Sequence, residues 1–208
     1  MQEIALYLTL GFHHIADWRA TDHILFVAAL TAAYGPRDWA RLAWLVTAFT
    51  LGHSLTLALT TLELVSIPGR VVEPLIALTI VVTAFAAIHD QREAAVPADG
   101  LAPSLTHAAL WRRYAIAGGF GLIHGCGFAS GLRSLLGGSE GIAIPLLGFN
   151  LGLEAGQLLV VAAIFLCGLL AERLLGWSRR DWVLVISGAA AGVGLSLLLD
   201  RIFAGGAA

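Results

Sequence analysis

Apolar residues fill this chain in long runs, interrupted by short clusters of glycine, proline and arginine, and no strand-like alternation competes with them. With those clusters as boundaries, helices are predicted near 3–16, 20–34, 39–65, 71–89, 112–136, 142–172 and 181–203. The later segments reach the roughly 20 residues that a bilayer crossing needs. The first two are short for independent spans, and 3–16 is expected to lie in the interface or to enter the membrane only partly. Pro74 and Pro145 are placed in first helical turns, where a missing N–H is no loss, and Pro36, Pro68, Pro97 and Pro103 in connections. The predicted class is all-α, a polytopic membrane bundle of six to seven helices. It forms one transmembrane domain over 1–208, its halves (about 1–89 and 112–208) joined by a polar loop at 90–111.

Composition agrees: 58% of residues are hydrophobic and 12% charged, with a mean hydropathy of +0.84, against roughly 25% charged residues in a soluble domain. A lipid bilayer is the implied partner, and a homo-oligomer stays open. The net charge is −2 and the 12 basic residues are all arginine, scattered rather than striped, which argues against nucleic acid. Arg37, Arg41, Arg92, Arg112, Arg113, Arg173, Arg179 and Arg180 gather at alternate connections, with Trp39, Trp111, Trp177 and Trp182 beside them. The positive-inside rule places those connections in the cytoplasm and the C-terminus outside. A cleavable signal peptide is not expected, since the start lacks a basic region and carries Glu3.

Ionisable side chains within apolar helices are expensive, so a set of them is a functional hypothesis. Here the set is His14, Asp22, His23, His53, His124 and Glu154. Imidazole and carboxylate without a thiolate pair form a nitrogen and oxygen ligand set suited to zinc, nickel, cobalt, iron or copper. Thr56, Glu73, Asn150 and Gln157 are candidates to support it. Plainer roles compete with these. Asp22 with Thr21 suits an N-cap, and Glu73 a helix start. Thr56 and Ser54 suit hydroxyls bonding back to carbonyls, while Asn150 and Gln157 suit interhelical glue. Asn150, Glu154 and Gln157 share one helical stripe, with Gly148, Gly152 and Gly156 on roughly the other side, permitting close helix approach. Gly121 and Gly125 flank His124 in the same way. An echo between Phe49-Thr-Leu-Gly-His53 and Phe120-Gly-Leu-Ile-His124 leaves a parallel repeat open.

The chain resembles the second branch of the HupE/UreJ family of bacterial membrane proteins. The matching stretches are Asp22-His-Ile-Leu-Phe26, Phe49-Thr-Leu-Gly-His-Ser-Leu-Thr-Leu57, Glu73-Pro-Leu-Ile-Ala-Leu-Thr-Ile80, Phe120-Gly-Leu-Ile-His-Gly-Cys-Gly-Phe-Ala129 and Leu147-Gly-Phe-Asn-Leu-Gly-Leu-Glu-Ala-Gly-Gln157. Two features depart from the family's pattern. Its first histidine usually precedes the Asp-His pair by five residues, whereas Ile15 through Thr21 separate His14 from Asp22 here, and a Glu-Asn pair common late in the fourth helix is replaced near Ala86 and Ala87. The resemblance implies a bacterial inner-membrane location, multi-pass, and handling of nickel or cobalt.

The expected function is therefore a secondary permease for a divalent transition metal (nickel, cobalt or zinc), with no catalytic residues assigned. A phosphate-binding loop ending in Lys-Ser/Thr is impossible in a chain without lysine, so gradients or the membrane potential would drive it. The alternative is an intramembrane zinc hydrolase in which Glu73 or Glu154 acts as general base.

Overall fold

In a computed structural model, described here over residues 2–18, 20–93, 107–136 and 141–204, the chain is all helical. The helices are α1 (Gln2–Ala16), α2 (Thr21–Thr31), α3 (Trp39–Thr61), α4 (Gly69–Glu93), α5 (His107–Leu136), α6 (Ala143–Leu175) and α7 (Arg179–Ala204), with a short 3-10 turn at Pro36–Asp38. Among the described residues there are no strands. Helices α3, α4, α6 and α7 are long and apolar enough to cross a membrane. Leu, Val, Ile and Phe side chains cover the outside of the bundle, the inverse of a soluble protein and what lipid requires.

The predicted helices all occur, with shifted ends. α4 starts at Gly69, so Pro74 lies inside the helix rather than in its first turn, and the ends of the predicted 90–111 loop are helical, as α4 runs to Glu93 and α5 begins at His107. Residues 94–106 of that loop lie outside the described residues. α6 ends where Gly176 adopts φ +67, a left-handed cap that glycine accepts at no steric cost.

Segments 3–16 and 20–34 turn out to be two pieces of one pass. Along α6, Gly148 faces Ile4 and Tyr7, Gly152 faces Leu8 and Phe12, and Gly156 faces Phe12 and Ile15, so α1 runs parallel to α6. α2 continues in the same direction: Phe26 and Val27 share a core with Val161, and Tyr34 lines one cavity with Ile164, Phe165 and Gly168. The helix is interrupted between them, after Ala16 and before Thr21, where Asp17 N–H donates to the His13 carbonyl at 3.0 Å and Ala20 N–H to the Asp17 carbonyl at 2.8 Å. The interruption falls halfway along the pass.

Two helix pairs are packed backbone to backbone on glycine, because between apolar surfaces in lipid only close approach supplies much dispersion attraction. In α1·α6, a methyl added at Gly11 would strike the Phe149 carbonyl, and one at Gly152 the Leu8 carbonyl; in α3·α5, one at Gly52 would strike the Gly118 carbonyl, and one at Gly121 the Phe49 carbonyl. The two sets superimpose in register. Gly11 matches Gly52, Phe12 matches His53, Gly152 matches Gly121 and Gly156 matches Gly125, and the sequence retains Thr9-Leu-Gly11 against Thr50-Leu-Gly52. α3 and α6 run in opposite directions, with His53 against Phe149 and Thr50 against Gln157. The repeat is therefore inverted and joins α1·α6 to α3·α5, in place of the parallel repeat left open above. α4 and α7 complete the bundle, Gly194 lying on Ile80 and Val81.

Candidate metal centre

The interruption between α1 and α2 opens opposite the middle of α3 and α5, and four histidines meet there. His14 closes α1, His23 opens α2, His53 is central in α3 and His124 lies on α5. Ring centroids are 4.7 Å apart for His14 and His23, 5.8 Å for His14 and His53, 6.1 Å for His23 and His53 and 5.1 Å for His23 and His124. His14, His23 and His53 each present one nitrogen such that the three atoms lie within 4.8 Å of one another. Nitrogens so placed could hold a metal ion once rotamer changes draw them closer to it.

The surroundings are aromatic. Phe128 is 4.1 Å from the His14 ring, Phe149 stacks on Phe128 at 5.2 Å, and Phe26 and Phe49 lie 5.1 and 5.2 Å from His124. Within this shell five imidazole nitrogens are buried and lack a hydrogen-bond partner among the described residues: Nε2 of His14 and His23, both nitrogens of His53, and Nδ1 of His124. Buried polar atoms are normally paired, and each that is not costs about 1–3 kcal/mol. His53 is fully buried with both nitrogens idle, a poor arrangement for a packing residue and a good one for a ligand. His124 differs, since its Nε2 is 2.9 Å from Thr79 Oγ1. That contact fixes the ring and leaves Nδ1 as its remaining nitrogen.

The other sequence candidates stand elsewhere. Asp22 does not cap α2, where Ala20 holds the cap position without a side-chain bond; its carboxylate pairs instead with Arg201 of α7, Nη2 to Oδ2 at 2.6 Å. Glu154 accepts a hydrogen bond from Thr47 at 2.6 Å and Gln157 one from Thr50 at 2.8 Å, so the polar stripe of α6 seats on α3. Asn150 Oδ1 is buried without a partner among the described residues. Thr56 bonds back to the Gly52 and His53 carbonyls at 3.3 Å and Ser54 to the Thr50 carbonyl at 2.6 Å, as their plainer reading has it. The Glu73 side chain is exposed at the start of α4. Thr79 and Arg201 were not singled out from sequence. A threonine in an apolar helix carries no signal of its own, and the ion pair of Arg201 spans nearly the whole chain.

The description "HupE / UreJ protein" matches residues 1–201 of the chain. No curated protein and no solved structure matches it.

Proposed function

Since the chain belongs to the HupE / UreJ protein family, whose members are associated with nickel or cobalt transport or accessory roles, we propose that it is a secondary permease for a divalent transition metal. The ion is its cargo, taken by His14, His23 and His53 with His124 alongside. One observation carries this reading: five unpartnered imidazole nitrogens face a phenylalanine-lined centre at the break of a discontinuous helix. Discontinuous helices at mid-membrane are where transporters place their substrate sites, because the broken segment can shift without unfolding. An all-imidazole set matches nickel, cobalt and zinc in softness.

The arginine-rich end of the bundle faces the cytoplasm of a bacterial inner membrane in this proposal, with α1 entering from the outer side. Hydrolysis is the less favoured reading. Glu73 is exposed and Glu154 accepts a hydrogen bond from Thr47, and among the described residues neither joins the converging nitrogens of His14, His23 and His53.

Protein purified without added metal and reconstituted in lipid vesicles tests the proposal. Element-resolved analysis is expected to find nickel, cobalt or zinc near one per chain after loading, and vesicles are expected to accumulate the same ion. A tightly held ion with no accumulation would overturn transport, and no ion at all would overturn the site.

A further inference from the structure

Asp22 is the residue before His23, yet its carboxylate serves neither the helix nor the histidines. It is engaged by Arg201, which arrives from the last turn of α7 and spends its second arm on the Glu73 carbonyl at 3.0 Å. The two side chains of the pair are 20% and 22% exposed, so the interaction is only partly screened by water. A carboxylate left alone against a neutral imidazole cluster would be costly, and a divalent ion held by neutral imidazoles alone would carry its full charge into an apolar shell. Both difficulties have the same solution.

We propose that Arg201 is a tethered cation that competes with the metal for Asp22: it holds the carboxylate until the histidines take an ion, then yields it as an oxygen ligand. The proposal rests on the metal-binding reading above and adds to it a ligand exchange within the chain. Adjacent residues on a helix point about 100° apart, so Asp22 must change rotamer to reach an ion at His23. It lies in the first turn of α2, beside the interruption, with its side chain 22% exposed. Arg201 keeps the Glu73 carbonyl and stands near the end of the bundle, so releasing Asp22 does not strand it in the core. A monovalent cation gains too little from the site to displace a guanidinium. The pair thus selects for charge, while the imidazoles select for softness.

The test is a double-mutant cycle read as nickel affinity, by calorimetric titration of detergent-purified protein, on wild type, Arg201→Gln, Asp22→Asn and the double variant. Competition predicts that R201Q binds nickel about tenfold more tightly, that D22N binds about tenfold more weakly, and that the double variant equals D22N. Arg201→Lys, a milder change whose single ammonium cannot serve both Asp22 and the Glu73 carbonyl, is expected to tighten binding about threefold and keeps the idea testable should R201Q misfold. Unchanged or weaker binding by the folded arginine variants overturns the proposal. So does an equal gain from R201Q in the D22N background, which would mean diffuse repulsion rather than competition. If no variant binds nickel, cobalt or zinc, the metal site itself falls; if all bind alike, only the exchange does.

Discussion

The pairs α1·α6 and α3·α5 are built on the same glycine register, run in opposite directions, and do different work. In α3·α5 both helices continue past the centre. In α1·α6 the first partner stops at Ala16 and restarts as α2. At equivalent positions one pair has His53 and the other Phe12, and the imidazole of α1 comes instead two residues later, at His14. The backbone packing is thus indifferent to the chemistry it carries. Close helix contact is specified by glycine at a few positions, and neighbouring positions are left to supply either an apolar wall or a candidate ligand.

That comparison is sharpened most strongly at the two equivalent aromatic positions. Replacing His53 by alanine removes one of three converging nitrogens and is expected to weaken nickel binding at least about 100-fold and to abolish uptake, the scale on which metal sites respond even to altered supporting groups. Phe12→Leu, at the matching place, should leave affinity within a few-fold. Titration of both variants checks this, and equal losses would break the distinction between wall and ligand.

The shared register is tested by Gly121→Ala and Gly152→Ala. Each added methyl meets backbone, which yields less readily than a flexible side chain, so each is expected to destabilise by about 1–3 kcal/mol and by similar amounts. Thermal unfolding in detergent measures it. A loss confined to one variant would show that the two pairs are alike only in outline.

A smaller contrast separates Thr50 from its counterpart Thr9. Thr50 donates to buried Gln157, whereas Thr9 donates to the Ala5 carbonyl on an exposed face. Thr50→Val is expected to cost about 1–2 kcal/mol by leaving an amide oxygen without its donor, and Thr9→Val close to nothing. The same unfolding measurement distinguishes them.

These pairings also mark how far the sequence was legible. Apolar runs long enough to span, and glycines spaced along one face, announce themselves because lipid imposes length and close packing on every spanning helix. His53 and His124 were visible for the same reason, as polar side chains in the middle of such runs. The inverted repeat was not, since three identical residues, Thr-Leu-Gly, are all that α1 and α3 retain over the contact. The stripe of Asn150, Glu154 and Gln157 was legible as a stripe, but its destination depends on which helix lies opposite, and there Thr47 and Thr50 claimed it. Asp22 read as a ligand or a cap and became the partner of Arg201, because tertiary placement of α7 brings a full positive charge to it.

The interruption between α1 and α2 has a consequence in coordination chemistry. His14 and His23 flank it, so the spacing of these two candidate ligands depends on the connection between α1 and α2, while His53 stands on an unbroken helix. For an ion held among them, His14 would be anchored by the close packing of α1 on α6, so the distance between His14 and His23 would follow the connection between α1 and α2. In the proposed permease, a chelate whose bite follows a helix break would exchange its ion faster than a rigid cage of equal affinity, as a transport site requires.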